Sequence, residues 1–384
     1  MTSLFPKLEG KTLLFLVSED WYFCSHRLPI ARAARDAGMK VAVACRVRKH
    51  GEAIRNEGFA LYPIRLNRSG RNPFADIGSI LALRKLYRRV RPDIVHQVAV
   101  KPVLYGSVAA WLAGVPHVVN AMAGLGFVFI SKGAFATLVR PALAAAFRIL
   151  LNRRNTRLIL QNGDDSALFQ SRIGVSSDRI AIIRGSGVDT NTFTPSPEPA
   201  GPITVSCVSR MLWDKGIGEL VDAARLLRRS GKDIVVRLIG PTDDNPASIP
   251  QEMLDAWRAE GIVDIAGPTT DVAAVYAGSH IAVLPSYREG LPKSLLEAAA
   301  CGLPMVATDV PGCREVCRNG ETGILVPVRE AEPLAAALER LAEDEALRKT
   351  YGIAARRAAE EEFAEPVITE QTLVLYEAIL DDEK

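Results

Sequence analysis

The chain of 384 residues lacks the cysteine patterns that mark a disulfide scaffold or a zinc site. It has six cysteines, but they form no CxxC pair and no zinc-like group with the five histidines. We therefore expect reduced cysteines in a cytosolic chain. Cys313 and Cys317 could share one helix face, so a redox pair is the alternative to two small buried side chains.

Long uninterrupted apolar segments are also missing. The run 12–17 is too short for a signal peptide and leads directly into Glu19 and Asp20. The most apolar stretch, 133–151, contains Arg140, Pro141 and Arg148, and arginine is costly at the centre of a bilayer. The sequence therefore predicts neither a secretory signal nor a membrane-spanning helix.

Net charge is small over the whole chain but unequal along it. Residues 1–200 have 28 basic against 13 acidic side chains, a net charge of +15, and residues 201–384 have 19 against 31, a net charge of −12. No finger, RRM or KH signature accompanies the basic half. Nucleic acid and an anionic membrane surface both remain open as its partner at this point.

Short β-branched runs alternate with amphipathic segments of helix length, a pattern typical of parallel sheets covered by helices on both faces. A chain of this length is too long for one core, so we expect two doubly wound α/β domains facing a cleft. The predicted strands are 12–18, 40–46, 60–66, 93–98, 117–123, 158–161, 180–183, 203–209, 235–240, 263–267, 281–285, 304–308 and 324–326. The segment "TNTFTPSPEPAGP", 190–202, has the composition of a linker.

Two glutamates bracket Gly290–Pro292 in "SYREGLPKSLLEAAACGLP", residues 286–304. A strand ends before them, and a helix is expected to have Pro292 in its first turn. Eight residues of helix rise about 12 Å, so Glu289 and Glu297 cannot share a proton and must contact different groups. N–H groups at the helix start could hold phosphate oxygens. A nucleoside diphosphate sugar fits this layout, and two solvent-facing glutamates are the simpler alternative.

The surroundings of this pair resemble a known family. The Glu289–Glu297 spacing is similar to the E-x7-E signature of the family 4 retaining glycosyltransferases, and "SYREGLPKSLLEAAACGLPMVATDVPGCREVCRNGETGILVP" resembles that family's donor-site block throughout. The resemblance implies that Glu297 binds the ribose hydroxyls. It also implies that the donor sugar lies against Glu289 and the following residues, Gly290, Leu291 and Pro292.

A second block, "SRMLWDKGIGELVDAARLL", resembles the family's diphosphate-binding segment and implies that role for Arg210 and Lys215. A nucleoside diphosphate gains negative charge as it leaves, and fixed cations stabilise that charge. The sequence has no D-x-D triplet and no histidine cluster, so we expect no metal and no cofactor. The expected co-substrate is a nucleotide sugar, in our expectation a UDP-sugar.

The amino-terminal half has weaker site candidates. His26 and Arg27 follow the first strand, where many relatives have a Gly-rich loop. They could contact the acceptor or a phosphate, or His26 could only cap or pack. "PDIVHQVAVKPVLYG" resembles a family segment with two histidines, of which this chain has only His96, since Val98 occupies the second place. Lys101 in the same segment is a further acceptor candidate.

The loop in "VVNAMAGLGFVF" also departs from the family pattern. Many members have a histidine where this chain has Ala123, so no proton role for a histidine is carried over. Gly124 and Gly126 are expected where the backbone approaches a ligand closely.

From Ile94 to Gly163 the sequence has no acidic residue, and its seven basic ones are Lys101, Lys132, Arg140, Arg148, Arg153, Arg154 and Arg157. Within this region an apolar stripe recurs at helical spacing: Phe135, Leu138, Val139, Leu143, Phe147, Leu150 and Leu151. An apolar stripe flanked by cations predicts a helix that lies on a membrane surface. A core helix with a basic solvent face is the alternative.

Over nearly its full length, the chain resembles bacterial enzymes that add N-acetylgalactosamine to undecaprenyl-diphosphate-linked sugars for protein glycosylation or surface polysaccharides. The shared features are "RNPF", "MLWDKG" and "GPTDDNP", the last of which begins at Gly240 and is expected to shape a donor or acceptor subsite. The resemblance implies the GT-B fold and a retaining, metal-independent hexosyltransferase with a polyprenyl-diphosphate-linked sugar as acceptor. A sugar-nucleotide epimerase of the same build, or a transferase with a soluble acceptor, is the alternative.

The same resemblance divides the chain by role. Residues 1–190 are expected to form a membrane-facing acceptor domain, residues 200–365 the donor domain, and residues 366–384 a helix that returns to the first domain. We expect peripheral attachment to the inner face of the cytoplasmic membrane and no nucleic acid partner.

Overall fold

The computed structural model describes residues 4–65, 73–122, 134–243 and 245–381. The chain divides into two compact units, of which the first comprises Met1–Ser186 and Ile368–Lys384 and the second Gly187–Val367. Each unit contains one parallel β-sheet with helices packed against it. The predicted α/β class with two doubly wound sheets is therefore confirmed.

The first unit has a seven-stranded parallel sheet. Its strands are β1 (Thr12–Glu19), β2 (Lys40–Arg46), β3 (Ala60–Pro63), β4 (Ile94–Val98), β5 (His117–Met122), β6 (Thr156–Leu160) and β7 (Ile180–Ile182). Their order in the sheet is β3-β2-β1-β4-β5-β6-β7. The central strands are buried along nearly their whole length, as expected for parallel strands covered on both faces.

The described helices that precede the second unit connect these strands. They are α1 (Asp20–His26), α2 (Leu28–Asp36), α3 (Gly51–Asn56), α4 (Pro73–Val90), α5 (Val100–Ala113), α6 (Ala134–Leu151) and α7 (Gly163–Leu168). A later helix, α15 (Glu365–Asp381), also contributes to this unit, because its residues Ile368, Leu373 and Tyr376 lie in the same apolar cluster as Phe15 of β1.

The second unit has a six-stranded parallel sheet in the order β10-β9-β8-β11-β12-β13. Its strands are β8 (Ile203–Val208), β9 (Ile234–Ile239), β10 (Asp264–Gly267), β11 (Ile281–Leu284), β12 (Met305–Thr308) and β13 (Gly323–Val326). Its helices are α8 (Ile217–Arg229), α9 (Gln251–Glu260), α10 (Val272–Ala277), α11 (Lys293–Ala300), α12 (Pro311–Val316), α13 (Ala331–Glu343) and α14 (Glu345–Ala358).

Each of the thirteen predicted strands is present, with ends within three residues of the predicted ones. All six cysteines are free. Cys313 and Cys317 are both buried in the second unit, and burial raises the pKa of the Cys317 thiol to about 12. Neither side chain has the solvent access and thiolate character that a redox pair requires.

The proline-rich segment 190–202 packs on the second unit. Phe193 contacts the apolar cluster around α11 and α12, and Glu198 accepts hydrogen bonds of 2.9 Å from Nε and Nη2 of Arg348. His280 Nε2 lies 3.0 Å from the Pro199 carbonyl oxygen. These contacts hold the segment in one conformation.

The membrane stripe predicted on α6 is wrong for the last three of its residues. Phe147, Leu150 and Leu151 are buried in the first unit, and Leu143 packs partly buried against the same cluster. A stripe with a 3.6-residue period suits a protein core as well as a membrane surface, and here the core accounts for it. The side chains of Phe135, Leu138 and Val139 lie outside the described residues, and no described helix is long and apolar enough to cross a bilayer.

Candidate active site

Three neighbouring strands of the second unit place the predicted donor residues at one edge of the sheet. β9, β8 and β11 lie side by side, and Gly240, Arg210 and Ser286 follow their carboxyl ends. The carboxyl edge of an open parallel sheet is where ligands usually bind. Residues from separate sequence blocks therefore meet at a position suited to a ligand.

Lys215 and Glu289 form an ion pair at this edge. Lys215 Nζ contacts Glu289 Oε1, and Ser286 Oγ donates a hydrogen bond of 2.7 Å to the same oxygen. Only 20% of the Lys215 side chain and 13% of the Glu289 side chain are exposed. Glu289 is thus the counter-ion of a cation from the other predicted block.

The turn that carries Lys215 is fixed to the end of β11. Gly216 has φ +69°, and a Cβ atom there would lie 2.1 Å from the carbonyl oxygen of Pro285. The Tyr287 N–H donates to the Asp214 carbonyl at 2.9 Å, and the Tyr287 hydroxyl donates to Glu219 of α8 at 2.6 Å. Backbone contact therefore positions Lys215 independently of its ion pair.

A second close approach supports the peptide that follows Glu289. The Gly312 N–H donates to the Glu289 carbonyl at 3.3 Å, and a Cβ atom at Gly312 would lie 2.4 Å from the Gly290 carbonyl oxygen. The chain then enters α11 with Pro292 as the N-cap residue, one position before the first turn where we expected it. Pro292 has no N–H, so among Gly290, Leu291 and Pro292 only the first two have backbone donors.

Glu297 lies inside α11 and is buried, with 8% of its surface exposed. Burial raises the pKa of its carboxyl group to about 7, and the Lys293 ammonium, 3.6 Å away, opposes this shift. Since Glu289 pairs with Lys215 and Glu297 with Lys293, the two glutamates contact different groups, as their spacing predicts.

Arg210 pairs with Asp243, which belongs to the segment that begins at Gly240. Gly240 has φ +147°, and a Cβ atom there would lie 1.9 Å from the Ser209 carbonyl oxygen. Hydrogen bonds from Met211 N to Pro241 O and from Trp213 N to Ala247 O, both 2.9 Å, join the two loops. The segment from Gly240 therefore forms one surface with the loop that carries Arg210 and Lys215.

These contacts describe a site suited to an anion with hydroxyl groups on either side. Two cations lie on connected loops, and both have carboxylate partners that an incoming anion can replace. Glu297 offers a buried acceptor inside the adjacent helix, and no side chain caps the start of that helix. Within the described ranges, no three His, Cys, Asp or Glu side chains lie close enough to hold a metal ion, and metal independence stays a prediction.

Comparison with known proteins assigns the chain to a family. Residues 12–162 match a family model described as glycosyl transferase 4-like, and residues 202–344 match one described as glycosyl transferases group 1. A D-inositol 3-phosphate glycosyltransferase of Pseudarthrobacter chlorophenolicus is 30% identical over 295 residues, which cover 73% of this chain and 69% of that protein. The chain belongs to the group 1, family 4-like glycosyltransferases.

Two further similarities concern nearly the whole glycosyltransferase. An N,N'-diacetylbacillosaminyl-diphospho-undecaprenol alpha-1,3-N-acetylgalactosaminyltransferase of Campylobacter jejuni is 27% identical over 370 residues, 92% of this chain and 95% of that protein. The crystal structure of a glycosyltransferase from Rickettsia africae superposes with a TM-score of 0.79 at 18% identity, covering 97% of this chain and 99% of the other. The predicted GT-B fold is thus confirmed.

Two acceptor candidates of this glycosyltransferase, His26 and Lys101, are half-buried. His26 is half-buried, stacks on Tyr22 with 4.3 Å between ring centroids, and has Nδ1 2.6 Å from Ser25 Oγ. Lys101 is half-buried in the first turn of α5. Gly124 and Gly126 lie outside the described residues. The acceptor roles of all these residues stay predictions.

Arg27 and His96 lie deeper in the first unit. Arg27 is 3% exposed, and His96 is fully buried, with its Nδ1 2.5 Å from the Tyr376 hydroxyl of α15. His96 also stacks on Phe15 of β1. Its ring therefore belongs to the core of the first unit, and any ligand that contacts it must enter that core.

The sequence did not single out four residues that shape the candidate donor site: Gly216, Asp243, Ser286 and Gly312. The glycine directly after Lys215 and before a helix was a usable signal, because such a position favours a left-handed conformation. Asp243 and Ser286 gave no comparable signal, since their partners are 33 and 3 residues away and only the fold selects them.

Proposed function

We propose that this glycosyltransferase moves a sugar from a nucleoside diphosphate sugar to a polyprenyl-diphosphate-linked sugar acceptor. The observation that carries the proposal is the convergence of Arg210, Lys215 and Glu289 at the carboxyl edge of the second sheet. The first donors to test are UDP-N-acetylhexosamines such as UDP-GalNAc, because the Campylobacter relative is named as an N-acetylgalactosaminyltransferase.

In the proposed donor complex, the diphosphate replaces the carboxylates as the partner of Lys215 and Arg210. This exchange releases Glu289 from its ion pair, so that its carboxylate can accept hydrogen bonds from hydroxyl groups of the donor sugar. Glu297, inside α11, accepts hydrogen bonds from the ribose hydroxyls. The two cations then stabilise the charge that grows on the diphosphate as the glycosidic bond breaks.

We propose transfer with retention and without a covalent enzyme intermediate. The bond between the anomeric carbon and the diphosphate oxygen breaks, and a bond to the acceptor oxygen forms on the same face of the sugar. The acceptor's proton passes to the departing diphosphate oxygen.

The acceptor class is proposed from the relative and from charge. The Campylobacter relative is named for a diphospho-undecaprenol acceptor and matches 92% of this chain. The excess of basic residues in 1–200 suits an acceptor that carries a diphosphate and lies in an anionic membrane. We therefore propose peripheral attachment to the inner face of the cytoplasmic membrane.

The test is a panel of nucleotide sugars assayed with a short-chain polyprenyl-diphosphate sugar, with the product anomer assigned by NMR. We expect an α-linked product from an α-linked donor, and transfer that persists in EDTA. A β-linked product would contradict retention, and transfer that required added Mn²⁺ would contradict metal independence. Isomerisation of the donor in the absence of any acceptor would identify an epimerase instead, and a product formed only with soluble sugars would overturn the lipid-linked acceptor.

A further inference from the structure

Several side chains of the first unit have buried polar atoms without a hydrogen-bond partner among the described residues. Arg27, through Nε, and His96, through Nε2, are two of them. Burial, and after it the charge of Arg27, lower the pKa of His96. Neither belongs to the donor site in the second unit, so their unmet hydrogen bonds need a separate explanation.

The fold places Arg27 inside the protein without a counter-ion. Arg27 joins α1 to α2, where its N–H donates to Phe23 O at 2.8 Å and its carbonyl accepts from Ala31 N at 2.9 Å. No acid in the part of the chain that the structure describes lies within ion-pair distance of its guanidinium. A buried charge without a partner is strongly unfavourable.

The two acids nearest in sequence on β1 and α1 are already engaged. Glu19 faces Arg48, with 3.2 Å between Oε2 and Nε. Asp20 accepts hydrogen bonds from the backbone N–H groups of Arg48 and His50, at 2.7 and 2.8 Å. Neither carboxylate can turn to Arg27 without losing these contacts.

Arg348 in the second unit shows how a buried arginine is compensated when its role is structural. It is 5% exposed, binds Glu198 with two hydrogen bonds of 2.9 Å, and donates to the carbonyls of Leu341 and Ala342. Arg27 is buried to the same degree and has none of these contacts. Within the described residues, Arg27 therefore lacks the compensation that Arg348 has.

His96 has a second buried nitrogen without a partner, Nε2. Its ring is held by Phe15, which stacks on it with 5.1 Å between centroids, and by the Tyr376 hydroxyl at Nδ1. Burial and the Arg27 charge lower the pKa of His96, so the ring is neutral and has one N–H. When the Tyr376 hydroxyl donates to Nδ1, that N–H lies at Nε2, the atom without a partner.

We propose that Arg27 and His96 form a binding subsite for an anionic phosphate oxygen, supplied by the diphosphate of the acceptor. The subsite itself follows from the two unpartnered donors, and the assignment to the acceptor rests on the proposed function. Ser25 and His26, directly before Arg27, are half-buried.

The experiment titrates inorganic pyrophosphate into the intact protein, with thermal unfolding and calorimetry as readouts and NaCl of equal ionic strength as reference. The protein carries Arg210→Ala and Lys215→Ala, so that the donor site does not bind the probe. We expect pyrophosphate to raise the unfolding midpoint. Adding Arg27→Gln should weaken pyrophosphate binding roughly 10- to 100-fold, the range for a charge-assisted hydrogen bond.

Without pyrophosphate, Arg27→Gln should be at least as stable as its parent, because it removes an uncompensated buried charge. The matched control is Arg32→Gln on α2, an exposed arginine paired with Glu57, which should leave pyrophosphate binding unchanged. Equal responses of Arg27→Gln and its parent to pyrophosphate would overturn the subsite, as would a parent that does not respond.

Two further variants keep the proposal testable if Arg27→Gln does not fold. Arg27→Lys retains the charge and should bind pyrophosphate more weakly than the parent but still measurably. His96→Asn retains an amide for Tyr376 but has no group at the place of Nε2, and it should weaken binding as well. Full-strength pyrophosphate binding in both variants would contradict the proposal.

Kinetics then identify the source of the anion. In a protein with an intact donor site, Arg27→Gln should raise KM for the polyprenyl-diphosphate sugar and leave KM for the nucleotide sugar unchanged. A rise in the nucleotide-sugar KM alone would assign the subsite to the donor and overturn the acceptor assignment. The pyrophosphate titration involves no sugar transfer, so it stands or fails independently of the proposed activity.

Discussion

Arg348 in the second unit and Arg27 in the first are almost equally buried, with 5% and 3% of their surfaces exposed. Arg348 has a bidentate carboxylate and two carbonyl oxygens as partners, whereas Arg27 has an unpartnered Nε. The candidate donor cations of the second unit, Arg210 and Lys215, also have carboxylate partners. These three cations of the second unit thus have partners within the chain, and Arg27 of the first unit has none among the described side chains.

The backbone shows a similar contrast. Where the second unit needs a left-handed conformation beside its site, it has Gly216 and Gly240. The first unit has Ala99 with φ 78° and ψ 162° at the end of β4, a region that glycine occupies almost exclusively. Gly216 and Gly240, beside the candidate donor site, thus have positive φ without a side chain, whereas the loop after β4 has alanine in such a conformation.

The largest expected effect comes from breaking the ion pair of the second unit with Lys215→Ala. Because Lys215 is assigned to stabilise the leaving diphosphate, kcat should fall about 100- to 1000-fold, the usual loss for one such group, with a smaller change in donor KM. Steady-state kinetics measure this effect, and circular dichroism checks the fold.

The matched control is Lys232→Ala in the same unit, since Lys232 also pairs with two carboxylates, those of Glu339 and Glu343. It should keep normal turnover. Normal turnover in Lys215→Ala as well would remove the diphosphate assignment.

The sequence predicted the fold well because buried parallel strands read as continuous apolar runs, which helices interrupt at regular intervals. The family resemblance assigned Arg210, Lys215 and Glu289 to one donor site, and the structure brings Lys215 and Glu289 into contact at the carboxyl edge of one sheet. The periodicity of α6 led to a wrong prediction of membrane contact for Phe147, which belongs to the core. A core and a membrane surface require the same spacing of apolar residues.

Partners could not be predicted in the same way. The pairing of Arg210 with Asp243, or of Glu289 with Ser286, depends on how loops fold back at the sheet edge, which no periodic pattern describes. The same holds for Arg27, because an unpaired buried cation differs from a paired one only in its three-dimensional surroundings.

The second prediction concerns the buried acid of the second unit. The pKa of Glu297 is raised to about 7 by burial, so between about pH 4.5 and 7 the folded protein binds a proton that the unfolded chain has lost. The contribution of Glu297 to stability is therefore greatest below about pH 4.5 and decreases by about 3 kcal/mol as the pH rises to 7. Urea unfolding at pH 5 and pH 8 measures this difference.

Glu297→Gln should remove most of that pH dependence, because glutamine does not ionise. Glu252→Gln, at an exposed position of α9, is the matched control and should retain it. An unchanged difference between pH 5 and pH 8 in Glu297→Gln would show that another group titrates.

The third prediction separates backbone strain from close contact. Gly216 and Gly261 have nearly the same φ, +69° and +65°, but a Cβ atom would meet the Pro285 carbonyl oxygen at Gly216 and open space at Gly261. Gly261→Ala should cost about 1 kcal/mol of stability for the left-handed conformation. Gly216→Ala should cost about 2 kcal/mol more because of the contact, measured by urea unfolding.

Gly216→Ala should also lower kcat, since the turn that carries Lys215 must move away from β11. Equal stability losses in the two variants would mean that the turn accommodates a methyl group without moving. Gly216 would then have no positioning role.

The smallest effect is expected in the first unit, where Ala99→Gly relieves the strained backbone. A non-glycine residue in this region of φ and ψ destabilises the folded protein by on the order of 1–3 kcal/mol. Glycine removes this strain, but its more flexible unfolded chain offsets up to about 1 kcal/mol of the gain in stability. Ala99→Gly should therefore stabilise the protein by about 1 kcal/mol, seen as a higher urea midpoint.

Ala82→Gly, on the exposed side of α4, is the control and should destabilise the protein by about 1 kcal/mol. Equal destabilisation in both variants would mean that Ala99 is not strained, and the contrast between the backbones of the two units would then disappear.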